Sequence, residues 1–412
     1  MDNLPPKTAP DPKGARITPV HLIALLIAMS MIGPMATHIV VPAVPGLVRK
    51  FNTDAGTAQL TVSLFLMGLA VSQLFLGPLS DRFGRRPVLL VGLGITAIAG
   101  AAATFAPSIS WLVIVRTLQS FGAASGLVLG RAMIRDLYGR DRAASMMAWV
   151  TMAMAIAPML SPLLGGILDT AFGWQSIFVA IAIASFGTLA WVFFALPETR
   201  PDRVESAGFS QLWRDARALF ASRSFVGYVL MATLGTATHF AFLGAAPHLV
   251  VSLMGLSSAT YGAWFVIVAC GYIVGNFITA RLSPRYGINR IIIAGIVTMC
   301  TGAALGIALL LYMPHGGPPV LFLPQFVLSI SSGLMLPNAI AGAVSVRPEA
   351  AGTASGLTGF LQQGTGAIAA QVMSYLVADA TSAMPVALAI FGIAIVTVIS
   401  FFGWVRPRNP GR

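Results

Sequence analysis

Twelve stretches of roughly twenty apolar residues follow one another along this chain, and the breaks between them are rich in arginine at every second position. A hydrocarbon core about 30 Å thick takes roughly 20 residues of α-helix to cross, so each stretch is a candidate membrane span. The spans are placed at 20–44, 57–79, 88–106, 111–134, 143–168, 175–196, 225–250, 259–280, 290–312, 319–341, 351–378 and 383–405. Of the 412 residues 57% are hydrophobic and only 9% charged, against about 25% charged in an ordinary soluble domain. A chain of that composition belongs in a bilayer, where helices satisfy every backbone hydrogen bond internally.

The net charge of +12 raises the question of nucleic acid, and the placement of the cations answers it. With the N-terminus inside, the leading tail holds Lys7, Lys13 and Arg16, and the inner breaks hold Arg82, Arg85, Arg86, Arg131, Arg135, Arg140 and Arg142. A central connector adds Arg200, Arg203, Arg214, Arg217 and Arg223, followed by Arg281, Arg285, Arg290 and Arg347 and a closing tail with Arg406, Arg408 and Arg412. Only Arg49 and Lys50 fall outside, a split of 22 against 2 with Arg116 left within a span. This is the positive-inside pattern with both termini cytoplasmic, and it gathers no single basic face for nucleic acid.

The polar stretch to Pro19 reads as a retained tail, because it is acid-containing and the apolar run after it exceeds a signal-peptide core. The organisation expected is a tail at 1–19, a six-helix bundle at 20–196, a cytoplasmic linker at 197–224, a second bundle at 225–405 and a tail at 406–412. Trp213 to Phe220 in the linker reads as a surface helix along the inner leaflet. Cys270 and Cys300 both fall within spans, so no disulfide framework is implied.

Between the second and third spans lies the run Gly77-Pro78-Leu79-Ser80-Asp81-Arg82-Phe83-Gly84-Arg85-Arg86-Pro87, whose acid and three arginines place it at a membrane surface. The run resembles the corresponding loop of major facilitator transporters, with the pattern Gly-x-Leu-x-Asp-Arg-x-Gly-Arg-Arg. The resemblance implies an all-α membrane fold of two pseudo-symmetric six-helix bundles. Within that superfamily the chain is similar to the Bcr/CflA-type branch of drug:proton antiporters. Gln59 to Asp81, Arg131-Ala132-Met133-Ile134-Arg135-Asp136, Leu196-Pro197-Glu198-Thr199, Leu336-Pro337-Asn338 and Ala351-Gly352-Thr353-Ala354-Ser355 carry that similarity. It implies a secondary transporter, not an enzyme, that exports drugs or small organic molecules from a bacterial inner membrane by proton antiport. An importer of organic anions on the same fold, and a membrane sensor without transport, are the competing readings. The partners expected are the bilayer and a small-molecule substrate, around a monomer; no cofactor is implied beyond the coupled proton.

Two groups of gating residues follow. Gly77, Asp81, Arg82, Gly84 and Arg85 form the turn, where Asp81 is expected to latch the cytoplasmic side by accepting from Arg131, Arg135 or the start of the eleventh span. In the fifth span, Ser161-Pro162-Leu163-Leu164-Gly165-Gly166, preceded by Pro158, resembles the Gly-Pro-x-x-Gly-Gly element of exporters, with serine in place of the first glycine. Small residues there permit close helix approach and the prolines bend the helix, which together make a hinge.

The thirteen acids leave none deep in a span, although the family pattern has an acid in the first span where this chain has His38. His38 is expected to carry the coupled proton, neutral when empty and cationic when loaded. A repeat pairs Ala36-Thr37-His38 with Ala237-Thr238-His239, making His239 its counterpart in the seventh span. Arg116, followed by Gln119 and Gly122, matches the arginine of the fourth span in the family pattern. Arg116, His38, His239, Gln119 and Gln362 are the expected substrate contacts, and a cavity of cations without carboxylates favours anionic or neutral molecules. No phosphate-binding loop points to an ATP-driven pump, and no spaced His/Cys/Asp cluster points to a resident metal.

Overall fold

In a computed structural model, which describes residues 19–137, 140–199 and 209–405, the chain is helical from end to end of the described segments. Residues 1–18 and 406–412 of the expected tails, residues 200–208 of the linker, and the side chains of Arg140, Arg142 and Trp149 lie outside the described residues. The first half comprises α1 (Pro19–His38), α2 (Val44–Phe51), α3 (Ala55–Phe83), α4 (Arg85–Thr104), α5 (Ile109–Leu137), α6 (Arg140–Phe172) and α7 (Gln175–Ala195). After the connecting α8 (Phe209–Phe220) come α9 (Arg223–Pro247), α10 (Ser258–Tyr286), α11 (Ile288–Tyr312), α12 (Pro318–Ser345), α13 (Ala351–Leu376) and α14 (Met384–Ser400). Among the described residues, ten helices are long and apolar enough to cross a membrane. The remaining two expected spans correspond to α6 and α13, helices of 33 and 26 residues that pack between the halves.

Each half packs by the same scheme. In the first, α5 lies between α3 and α4, and α1 packs on α6; in the second, α12 lies between α10 and α11, and α9 packs on α13. The halves meet along two crossings that the same pseudo-symmetry exchanges, α3 with α13 and α6 with α10. Close approach within the first bundle depends on small residues. A methyl group at Gly126 of α5 would lie 1.9 Å from the carbonyl oxygen of Met29, so only glycine lets α1 sit this near.

The repeat extends to the turns. Leu79-Ser80-Asp81-Arg82-Phe83-Gly84 ends α3, and Leu282-Ser283-Pro284-Arg285-Tyr286-Gly287 ends α10 in the same way. Both glycines take a left-handed φ, 96° and 80°, where a side chain would be strained, and both amides close on the serine four residues back. In the second copy Pro284 stands at the place of Asp81 and Ile288 at that of Arg85, so only the first copy can build an ionic network.

The helix ends depart from the expected spans for local reasons. The first span was expected to run to residue 44, but α1 stops at His38 and gives way to a 3₁₀ turn, Val41–Ala43, and then α2. Pro42 and Pro45 bring no N–H to continue the α-helical ladder, which forces the break. At the arginine-rich end α3 and α6 overrun their apolar stretches, because helices leaving the hydrocarbon need not stop at its edge. The surface helix expected at Trp213 to Phe220 begins earlier, as α8 at Phe209. Its Leu219 packs with Phe225, Val229 and Ala354 beneath the second bundle, and Trp213 is exposed.

Candidate functional site

Because α1 ends at His38, its last carbonyls lack the amide donors of a following turn. Arg116 of α5 fills part of that deficit. Its Nη2 donates to the carbonyl oxygen of Ala36 at 2.9 Å, its Nε to that of Thr61 in α3 at 3.2 Å, and its Nη1 to Oε1 of Gln119 at 2.6 Å. The guanidinium carbon lies 3.9 Å from the centroid of the Phe65 ring, a cation–π contact with the negative face of the arene. The side chain is 0% exposed. A buried cation is tolerable only when its donors are satisfied and its charge is spread over nearby dipoles. Three oxygens and an aromatic face do this here. Gln119, itself buried, donates onward from Nε2 to the carbonyl oxygen of Thr96 at 3.2 Å. Both residues were expected to face a substrate. The structure instead places them in the interior of the first bundle, bound to each other and to the backbone.

His38 is the last residue of α1, two residues beyond the braced carbonyl of Ala36. Its Nδ1 lies 2.9 Å from the carbonyl oxygen of Pro34. A carbonyl can only accept, so Nδ1 carries the proton and, in the neutral ring, Nε2 holds the lone pair. Nε2 is buried and has no hydrogen-bond partner. Across the junction between bundles stands His239 of α9, its ring centroid 6.0 Å away and tilted by 47°. Phe240 lies 6.2 Å from His38, and Phe265 of α10 lies 6.1 Å from His239. The expected pairing of the two histidines is therefore a contact, made in an aromatic surround. Should both rings be protonated at this separation, the repulsion is about 3 kcal/mol at an effective dielectric constant of about 20.

Gln362 lies on α13, four residues or about 6 Å along the axis from Gly366, which packs directly on the Phe240 ring. Its Nε2 is buried and without a partner, like Nε2 of His38. One of these atoms is bare of a donor and the other of an acceptor.

Of the gating residues of α6, Gly165 packs on the end of α1 within the first bundle, and Pro162 and Gly166 lie where the bundles touch. A methyl group on Gly165 would come within 1.9 Å of the carbonyl oxygen of Ile39, and one on Gly166 within 2.3 Å of that of Ser258 in α10. Pro162 lends its carbonyl to the same crossing, 2.4 Å from where a methyl on Gly262 would sit. Pro158 lies one turn earlier, inside the helix. Just beyond, Ser258 Oγ donates to Oδ2 of Asp169 at 2.6 Å, and the amide of Ala259 to Oγ1 of Thr170 at 3.2 Å. The second crossing is hydrogen-bonded as well. Gln371 of α13 donates to the carbonyl oxygen of Gly56 at 2.8 Å and accepts from Ser63, and Ser374 donates to that of Ala55 at 3.1 Å. All these bonds cluster at the end away from the Gly77–Pro87 turn, at the start of α3 and α10 and the finish of α6 and α13. Sequence reading assigned no role at this seam to Asp169, Ser258 or Ser374. The one available signal was that each is a polar residue in or beside an apolar helix.

At the arginine-rich end, the turn is an ionic knot within the first bundle. Arg85, mostly buried, places Nη1 2.7 Å from Oδ1 of Asp81 and Nε 3.1 Å from Oδ2 of Asp136 at the end of α5, and it also bonds Ser80. The Glu198 carboxylate, beyond α7, receives the amides of Arg85 and Arg86 at 3.0 and 3.1 Å. It thus supplies the negative charge that the N-terminus of α4 lacks in its own first turn. A methyl group on Gly84 would come within 2.7 Å of that carboxylate, whereas Gly77 has open space around it. Arg82 stacks on Phe83, while Arg131 and Arg135 are exposed. Asp81, expected to reach Arg131, Arg135 or the eleventh span, is held here by Arg85.

Residues 26–371 match the profile of the Major Facilitator Superfamily. Multidrug resistance protein D of Escherichia coli (strain K12) is 30% identical over 92% of this chain and 94% of its own length. A bicyclomycin resistance protein homolog of Haemophilus influenzae is 26% identical over 92% of this chain and 95% of its own. A chloramphenicol resistance protein of Pseudomonas aeruginosa is 31% identical over 69% and 67%. Among solved structures, that of a D-xylose-proton symporter superposes with a TM-score of 0.76 at 16% identity, covering 95% of this chain and 99% of that one. Two bundles exchanged by pseudo-symmetry, the glycine-closed arginine turn and these matches agree: the chain is a multi-pass membrane protein of the major facilitator superfamily, a transporter of the Bcr/CflA type and not an enzyme.

Proposed function

We propose that this protein exports small organic molecules from the bacterial cytoplasm across the inner membrane in exchange for protons, by alternating access. The observation that carries the reading is the contact of His38 with His239 across the junction of the two bundles. A proton-accepting nitrogen without a protein partner sits at a seam that must open for transport, so protonation and opening are coupled by geometry. The positive-inside rule makes the arginine-rich end cytoplasmic, so the hydrogen-bonded seam is the outer gate, closed while the inner side receives cargo. When the outer gate opens, one proton from outside loads the histidine pair as cargo leaves, and the gate closes on that singly charged pair, since a second proton would add the repulsion of two cations in contact. The proton then leaves to the cytoplasm, restoring the neutral pair.

Cargo is bound between the bundles by His239, Gln362 and the unpartnered nitrogen of His38, with Phe240 and Phe265 as apolar wall. Arg116 and Gln119 act at one remove, by holding the end of α1 and so the position of His38. With no carboxylate deep in a span, neutral and anionic molecules are favoured over cations. The similarity to proteins named for bicyclomycin and chloramphenicol resistance supports export of neutral antibiotics. The boundaries 20–196 and 225–405 are proposed as the two moving bodies, in a protein that works as a monomer and requires no cofactor.

Vesicles with the cytoplasmic face outward, acidified inside, provide the test. Chloramphenicol should accumulate and should leak back when the pH gradient is collapsed. The double variant His38→Ala, His239→Ala should abolish gradient-driven accumulation while downhill movement of the drug persists. Accumulation that survives in the double variant removes the histidines from coupling, and preferential accumulation of a cationic dye overturns the cargo assignment.

A further inference from the structure

The glycine-closed turn occurs twice in this chain, but its charges are balanced only once. In the first bundle the arginines of the turn are met by Asp81, by Asp136 at the end of α5 and by Glu198 beyond α7. The second bundle lacks each of these acids. Pro284 stands at the place of Asp81, and α12, the counterpart of α5, contains no acid. The sequence beyond α14 carries Arg406 and Arg408 but no acid, where that beyond α7 carries Glu198. Only two of the thirteen acids follow residue 223: Asp379, at the opposite end, and Glu349, exposed beside Arg347.

The cations of the second turn remain. Arg281 and Arg285 lie four residues apart at the end of α10, neighbours on one helix face, and Arg290 is the third residue of α11. All three are exposed, and none pairs with an acid among the described residues. Their frame is fixed: Ser283 Oγ donates to Oδ1 of Asn338 in α12 at 2.6 Å, and the Tyr228 hydroxyl of α9 donates to Oδ1 of Asn289 at 2.8 Å. Three guanidinium groups are therefore held on one rigid turn against their mutual repulsion, which an anion would relieve. The apolar stretches beside the turn end at residue 280 and resume at 290, so the arginines stand at headgroup depth on the cytoplasmic side. Phe277, exposed one turn before Arg281, has its ring centroid 5.1 Å from that guanidinium, and Tyr286 beside Arg285 is exposed as well. Arginines clustered directly cytoplasmic of a span, interleaved with aromatic rings, are complementary to anionic lipid. We infer that the α10–α11 turn binds the phosphate of an anionic phospholipid of the inner leaflet through Arg281, Arg285 and Arg290. The second bundle thus takes from the bilayer the counter-charge that the first builds from its own carboxylates.

The test uses the purified full-length protein in detergent, offered equal amounts of phosphatidylglycerol and phosphatidylcholine with the same acyl chains, and counts the retained lipids by native mass spectrometry. Wild type should retain phosphatidylglycerol about fivefold over phosphatidylcholine, and the triple variant Arg281→Gln, Arg285→Gln, Arg290→Gln should bring that ratio to about one. Pro284→Asp gives the second turn the acid that the first possesses, and should lower the ratio about twofold or more without removing a cation. A control that removes the same charge from α8 and the start of α9, Arg214→Gln, Arg217→Gln, Arg223→Gln, should keep most of the preference. Equal loss in the two triple variants would make net charge the cause and overturn the site, as would a wild type that retains both lipids alike. Displacement of the lipid by millimolar inorganic phosphate would make this a site for free phosphate and overturn the assignment to a lipid. Should the triple variant fail to fold, Pro284→Asp carries the test alone, and an unchanged ratio there overturns the proposal.

Discussion

At the scale of single residues, the most consequential side chain is Arg116, and its role is to finish a helix. The guanidinium supplies a donor to the Ala36 carbonyl in the last turn of α1, and a second donor to the Thr61 carbonyl within α3. Arg116→Ala leaves Gln119 Oε1 and the Ala36 carbonyl unpaired beside a cavity, and should cost about 2–4 kcal/mol, read as a fall in melting temperature in detergent. Arg116→Lys keeps the charge but not the fork, so it should fall between the two and lose transport in proportion to the displacement of His38. Asp54 shows the same logic at a helix start. Its carboxylate caps α3 by accepting from the Thr57 hydroxyl and amide, and these bonds hold its pKa below the usual carboxylate range. The stabilisation is present above the unfolded-state pKa and is lost as pH falls through the lowered one. Asp54→Ala should therefore cost about 1 kcal/mol at neutral pH, with the difference from wild type shrinking in acid.

The elements show what the residues are for. Helix α6 approaches α10 so closely that Gly166 has no room for a methyl group against Ser258. Gly166→Val should push these helices apart at the outer gate. A disulfide trapped between cysteines placed at Thr170 and Ala259, in a background without Cys270 and Cys300, should form several-fold more slowly than with glycine. Unchanged cross-linking would mean that the helices find the space elsewhere. The spans themselves, the glycine-closed turn at Gly84 and the pairing of His38 with His239 were legible in sequence, because each is a local pattern or a repeated one. The bonds from Ser258 to Asp169 and from Ser63 to Gln371 were not, since they join residues 89 and 308 positions apart with no shared motif. Arg116 was legible as a buried cation but not as a brace. Its acceptors are mostly backbone oxygens, which every position carries and none advertises. The early end of α1 could be suspected from Pro42 and Pro45, yet an apolar window runs straight through them.

For the whole molecule, the two bundles present a hydrogen-bonded seam at one end and, at the other, an ionic knot built on Asp81, Arg85, Asp136 and Glu198 of the first bundle. The proposed cycle exchanges these conditions, so a fall in pH should widen the outer end and narrow the inner one. Spin labels at Asn52 and Asp379 should move apart on acidification from pH 8 to pH 5 while a pair at Arg135 and Glu349 draws together, and the His38→Ala, His239→Ala double variant should respond to neither. Movement of one pair without the other would indicate local loosening rather than rocking of two bodies. Arg116, Gln371 and Ser374 each reach a main-chain oxygen, at Ala36 and Thr61, at Gly56 and at Ala55. A deep mutational scan of this protein should therefore be one-sided: Arg116, Gln371 and Ser374 should score as intolerant, whereas exchanging the side chain opposite each of them leaves its bond intact, and no compensating second-site change should emerge there.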